Sequence, residues 1–232
     1  MPLLKRLVSE ALGTAFLLMA VVGSGIMAER LSGGNVGLAL LANTIATGAV
    51  LMCLIGSLGP ISGGHFNPAV SFADAMQGGL SWAEACGYAL VQIAGGIIGV
   101  GLAHAMFGLP LFMASHHVRT GSSQWLSEFI ATFGLLLIIF GCVRSASKLV
   151  PFAVASYIVA AYWFTSSTSF ANPAVTVGRS LSDTFAGVRP VDVPGFVIAQ
   201  LCGAVTATFL VRWLAPVGTD QAKAAFLAQP EI

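Results

Sequence analysis

Apolar residues run along this chain in long blocks, near 7–28, 37–58, 82–107, 125–143, 150–168 and 193–214. A membrane-crossing helix needs roughly 20 mostly apolar residues to span a hydrocarbon layer about 30 Å thick. Six spans are therefore predicted. The apolar pattern breaks in two places that are poor helix material, Gly59-Pro60-Ile61-Ser62-Gly63-Gly64-His65-Phe66 and Thr165-Ser166-Ser167-Thr168-Ser169-Phe170-Ala171. Each break runs into the same tripeptide, Asn67-Pro68-Ala69 in the first case and Asn172-Pro173-Ala174 in the second.

Asparagine is a strong helix N-cap and proline suits the first helical position, so each tripeptide predicts a helix start. After the first, AVSFADAMQGG lasts about ten residues before Gly78-Gly79, and after the second AVTVGRSLSD is similarly short. At 1.5 Å per residue, ten residues cover about half of the hydrocarbon layer, so each is predicted to be a half-helix. Non-helical backbone at membrane depth is tolerated only where it is buried in protein or lines a wet cavity. Two half-helices meeting tip to tip, with unwound carbonyls leading to them, predict a pore or a midplane binding site. If each asparagine oxygen caps its own helix, its amide NH₂ is left to face a passing solute. Each helix N-terminus adds about half a positive charge, which disfavours cations.

Composition agrees with this pattern. The 232 residues are 56% hydrophobic and 8% charged, against about 25% charged in soluble domains. The net charge of +1 gives no basis for a nucleic-acid partner. The N-terminal MPLLKR and the run behind it resemble a signal peptide, but the run is long enough to span and is expected to be retained as the first helix. Cys53, Cys86, Cys142 and Cys202 lack the spacing of a disulfide framework or zinc site and are expected to be small packing residues. No cofactor is expected.

The blocks repeat. Ser9-Glu10 opens the first half and Ser127-Glu128 the second; Tyr88 and Gln92 with Gly95 correspond to Phe196 and Gln200 with Gly203. Three spans per half is an odd number, so halves of about 1–115 and 116–232 are predicted to be inverted repeats of a single domain. Glycines at 95, 96, 99 and 101 allow close helix approach. With both termini cytoplasmic, Lys5, Arg6, Arg144, Lys148, Arg212 and Lys223 fall inside, against Arg30, Arg119, Arg179 and Arg189 outside, which agrees with the positive-inside rule.

A given tripeptide arises about once in eight thousand positions at average usage, so two copies at equivalent places in a repeat are not a coincidence of composition. SGGHFNPAV and the second Asn-Pro-Ala, on six inverted-repeat spans, closely resemble the aquaporin and aquaglyceroporin (major intrinsic protein) family across nearly the whole chain. That resemblance implies an all-α integral membrane fold of six spans and two re-entrant half-helices. It also implies a homotetramer in membrane lipid, one pore per subunit, and passive flux of small neutral solutes. The carbonyls of Gly63, Gly64 and His65, and of Ser169, Phe170 and Ala171, are implied to line the path. Glu10 and Glu128 match the family's buried glutamates. Intramembrane carboxylates are functional candidates as proton carriers, but their repeat symmetry favours accepting hydrogen bonds from the re-entrant loops.

In most members of that family arginine follows the second Asn-Pro-Ala; here the residue is Val175. Spacing from the two motifs carries the other filter positions onto Thr47, Ala160 and Ser169. Four small, uncharged side chains imply a wide opening without a fixed cation. The valine also resembles an AqpS-type bacterial branch associated with arsenic detoxification, with polyols, arsenous acid and water as expected cargo and the inner membrane as expected location. Arg179 lies one turn beyond Val175 on the same face and either reaches back toward the filter or, as favoured, is solvated in the outer vestibule. Asp74, its counterpart in the repeat, is expected at a wet mouth. His116-His117 is expected to be a solvated outer loop. The principal alternative is an ion-coupled secondary transporter, since inverted repeats with broken helices occur there too. A membrane enzyme would need a nucleophile–base pair or metal set that the spans do not carry.

Overall fold

The computed structural model describes residues 1–145 and 147–215. Lys223, one of the residues counted toward the inside charge, lies outside the described residues. Six long helices account for the apolar blocks: α1 (Leu3–Leu31), α2 (Val36–Ser62), α4 (Trp82–Met106), α5 (Ser122–Ser145), α6 (Val150–Phe164) and α8 (Val193–Leu214). All six, with short 3₁₀ turns leading into α6 and α8, are long and apolar enough to cross a membrane. Two short helices, α3 (Pro68–Gln77) and α7 (Pro173–Arg179), follow the Asn-Pro-Ala asparagines.

Local chemistry sets most of the boundaries. Asn35 caps α2 by accepting from the Leu38 N–H at 3.0 Å. Ser81 and Glu84 form a reciprocal capping box at the start of α4. Two boundaries differ from the sequence expectation. Helix α2 continues through Pro60 to Ser62. The carbonyl that Pro60 leaves unbonded belongs to Gly56, on an exposed face, so one proline in the last turn is tolerated. Helix α6 stops at Phe164, short of the expected 168, because Thr165 turns extended (ψ 138°) and begins the unwound segment.

Packing repeats between the halves. Helix α1 packs on α2 and α4 as α5 packs on α6 and α8, while α3 lies against α4 and α8, and α7 against the same two. The closest crossing is α1 on α4. A methyl group at Gly95 or Gly99 would run into the backbone carbonyl of Ala11 or Ala15, so these two glycines let the backbones touch. Gly203 has the same relation to Phe129 across α5 and α8.

The outer surface is apolar, as expected of a chain solvated by lipid. Trp82, Trp125, Trp163 and Trp213 are all exposed and all lie within four residues of a helix end, the placement of an interfacial aromatic belt. The cysteines differ from expectation: Cys53, Cys86 and Cys202 are exposed and Cys142 is half-buried. Where the surrounding solvent is apolar, a small hydrophobe gains little by pointing inward, so it need not serve packing.

Candidate functional site

Asn67 caps α3 by accepting from the Ala69 N–H at 2.9 Å, and Asn172 caps α7 by accepting from Ala174 at 2.9 Å and Val175 at 3.3 Å. The sequence suggests that both NH₂ groups are left to face a solute, but each of them donates to protein backbone. Asn67 donates to the Ala171 carbonyl at 2.8 Å, and Asn172 donates to the Phe66 carbonyl at 2.8 Å. Each half-helix tip is thus tied to the residue that precedes the opposite asparagine. An amide NH₂ carries two hydrogens, so one remains on each asparagine.

The segments leading to these tips have unusual backbone. Gly63 and Gly64 have φ of 95° and 64°, and Thr168, Ser169, Phe66 and Ala171 hold φ of 61°, 49°, 45° and 49°. A side chain in the left-handed region costs on the order of 1–3 kcal/mol, so something must hold four such residues in place. The two buried glutamates bond directly to two of them, Phe66 and Ala171, and Glu128 reaches Ser169 through the Ser167 hydroxyl, while the Thr168 N–H donates to the Thr165 carbonyl. Glu10 accepts from the Ser62 hydroxyl (2.6 Å), the His65 N–H (3.0 Å), the Phe66 N–H (2.6 Å) and the Gln92 amide (2.8 Å). Glu128 accepts from the Ser167 hydroxyl (2.5 Å), the Phe170 N–H (2.9 Å), the Ala171 N–H (2.9 Å) and the Gln200 amide (2.6 Å). Gln92 and Gln200 each donate onward to the half-helix, to Ser71 and Thr176. Charge-assisted bonds of this kind are roughly twice as strong as neutral ones.

A cavity of about 430 Å³ runs past these tips. Thr47, Gly63, Gly64, His65, Asn67, Ser169, Phe170, Ala171, Asn172 and Val175 all line it. Pro68, Ala69, Pro173 and Ala174 are buried in the first turns of α3 and α7. Apolar side chains such as Leu51, Ile55 and Ile139 make up much of the remaining wall.

Three expected placements are corrected. Ala160 does not line the cavity; it is exposed on the outer face of α6. The inward face carries Val154, Ile158 and Tyr162, spaced by four, and a residue two positions from Ile158 points about 200° away. Tyr162, which the spacing argument missed, has its hydroxyl 3.4 Å from the Thr47 hydroxyl. The four-residue periodicity of α6 was the available signal. Second, Arg179 is not in a solvated vestibule: it is 2% exposed, lines the same cavity as Val175 and stacks its guanidinium 3.4 Å from the centre of the Phe170 ring. Helix α7 is only seven residues long, and the chain then turns back so that the Ala186 carbonyl accepts from Arg179 Nε. The cavity is therefore not free of arginine. Third, Asp74 is 1% exposed, because its carboxylate is folded against the Gly78-Gly79 turn, where a methyl on Gly79 would collide with it.

The outer loop is held by further contacts of two residues, Arg119 and His116. Arg119 donates from Nε to the Gly187 carbonyl at 2.9 Å and from Nη1 to the Ser167 carbonyl at 3.2 Å. His116 is exposed, and its backbone N–H and Nδ1 each lie 2.8 Å from an oxygen of Asp183. These contacts hold the Asp183 carboxyl below the usual carboxylate range.

Six membrane-length helices around two capped half-helices, with a cavity past their tips, define a multi-pass membrane channel of the aquaporin type. The chain belongs to the major intrinsic protein family, whose model matches residues 1–169. It is 56% identical to the aquaglyceroporin AqpS of Rhizobium meliloti (strain 1021) over 91% of each chain. It is 32% identical to aquaporin NIP1-1 of Arabidopsis thaliana, over 90% of this chain and 73% of that one. The fold is similar to the X-ray structure of the aquaglyceroporin from Plasmodium falciparum, with a TM-score of 0.70 at 19% identity, covering 90% of this chain and 96% of the other. The protein is a channel for small solutes.

Proposed function

We propose that this channel passively conducts small uncharged hydroxylated molecules: polyols such as glycerol, metalloid hydroxides such as arsenous acid, and water. The observation that carries the reading is the pair of crossed asparagine bonds beside the cavity. Each asparagine keeps one amide hydrogen for a passing oxygen, while the carbonyls of the strained segments accept from the solute's own hydroxyls. Apolar walls opposite these groups leave an ion without the full set of partners it would have in water. The 56% identity to a protein named an aquaglyceroporin supports polyols as cargo.

In this reading Thr47, Ser169 and Val175 form the narrow filter, with Tyr162 in the place expected for Ala160. Carbonyls of Gly63, Gly64, His65, Phe170 and Ala171 form the path. Glu10 and Glu128 support the loops rather than carry protons, since each carboxylate already accepts four hydrogen bonds. Asp74 supports the turn after α3. The halves of about 1–115 and 116–232 are inverted repeats of one domain. The assembly is a homotetramer in the inner-membrane lipid, with both termini cytoplasmic.

Purified protein in proteoliposomes tests this. Glycerol, arsenite and water fluxes are expected to rise linearly with solute gradient and to ignore proton and sodium gradients. Saturation together with gradient coupling would establish the ion-coupled transporter instead.

A further inference from the structure

Arg179 has an accounting problem. A guanidinium carries five N–H donors and stays protonated in proteins. Here the Nε donor goes to the Ala186 carbonyl, Nη1 is buried without a partner, and no protein acceptor faces either Nη group among the described residues. Among the described residues no carboxylate pairs with it within 4 Å. The nearby Glu128 has both oxygens occupied. Arg119, the other guanidinium on the Phe170 ring at 5.3 Å, is anchored through two nitrogens to the Gly187 and Ser167 carbonyls, and among the described residues it has no buried nitrogen without a partner.

An isolated buried charge with idle donors is costly unless something supplies acceptors. The side chain lines the cavity, so those acceptors have to come from the cavity's contents. Ser169 lines the same stretch, and its hydroxyl is also buried without a partner. The Thr47 and Tyr162 hydroxyls complete the wall. The Phe170 ring under the guanidinium and the Ala186 carbonyl hold its plane in position.

We propose that Arg179 supplies the fixed positive charge of this cavity, and that its free Nη donors and the Ser169 hydroxyl bind the oxygens of neutral hydroxylated solutes. The function left open by Val175 is thus performed from one helical turn further on. The inference rests on the channel reading and deepens it by naming the residue that rejects cations. It also explains the solute class. The guanidinium can only donate, whereas the three hydroxyls can donate or accept, so molecules with adjacent hydroxyl groups satisfy the ring best. A cation meets a full charge in a poorly solvated space, where an interaction at about 4 Å exceeds a tenfold effect.

The test is proteoliposome flux of Arg179→Leu and Arg179→Lys beside the unaltered protein, reading proton and potassium leak, water and glycerol in the same vesicles. Arg179→Leu is expected to raise cation leak at least about tenfold while still passing water, and Arg179→Lys to keep cations out. A leucine variant that passes water and excludes cations as well as the unaltered protein overturns the proposal. If the leucine variant does not insert, the double substitution Val175→Arg with Arg179→Val moves the charge to the neighbouring turn. It is expected to restore insertion and exclude cations, and cation leak or failed insertion in it would overturn the proposal. Glycerol flux through the unaltered protein, read separately for saturation and ion coupling, tests the channel reading on which this rests.

Discussion

Asn67 and Asn172 do not simply face each other; each is bonded to the backbone just before its counterpart, at 2.8 Å in both directions. The cap oxygen fixes the asparagine to its own half-helix, and the amide fixes it to the other segment. One side chain thereby sets the start of a helix, the contact between two helices and the direction of the remaining donor.

Removing either asparagine should therefore cost two interactions. A lost cap is worth about 1 kcal/mol and a lost buried hydrogen bond about 1 kcal/mol, so Asn172→Ala is expected to lose about 2 kcal/mol. Because the two asparagines share one junction, Asn67→Ala with Asn172→Ala should deviate from additivity by at least about 0.5 kcal/mol. Unfolding of the single and double variants in detergent measures both quantities. Strict additivity would show that the tips are not coupled.

The glutamates are expected to matter for stability more than for transport rate. Glu128→Gln keeps the shape but turns an NH₂ group toward donors, leaving at least one of them unsatisfied. A loss of about 3 kcal/mol follows, and Glu10→Gln should match it because its four partners are equivalent. Surviving protein should conduct glycerol without a change in its dependence on pH, read from flux at fixed solute gradient. A shifted pH profile would point to proton transfer.

Gly95→Leu should prevent α1 and α4 from meeting, since even a methyl group there strikes the Ala11 carbonyl. Overpacking costs about 1–3 kcal/mol for tolerated cases, and this one pushes on backbone that cannot rotate away. The expected outcome is a large loss of monodisperse protein on size-exclusion chromatography. Gly101→Ala, where the nearest atom is the Phe112 ring at 3.2 Å, should be milder.

Val175→Arg is expected to lower glycerol and arsenite flux about tenfold or more while sparing water. It adds a long side chain beside Arg179 and narrows the space they share. The repulsion between the two guanidinium groups should also reduce stability. Stopped-flow measurements of water and glycerol on one preparation separate the effects. Unchanged glycerol flux in a membrane-inserted variant would remove Val175 from the filter.

Much of this was readable from sequence because each signal was local. Apolar run length predicts the spans, and Asn-Pro predicts the start of each half-helix. What remained hidden depends on where the chain goes next. The position of Arg179 could not be read from Val175, because it is set by a turn after a seven-residue helix that brings the Ala186 carbonyl back to it. Ala160 was misplaced because counting back from Asn172 crosses an unwound segment, which does not preserve helical phase. Cysteine burial was misjudged for a different reason: in lipid, apolarity no longer tells inside from outside.

The most direct test of the central claim is a cysteine at position 175 in a background where Cys53, Cys86, Cys142 and Cys202 are replaced by alanine. If solutes cross beside the two asparagines, a bulky methanethiosulfonate reagent on that cysteine should abolish glycerol flux in proteoliposomes, and reduction should restore it. Glycerol flux that persists at full strength after complete labelling would contradict the account.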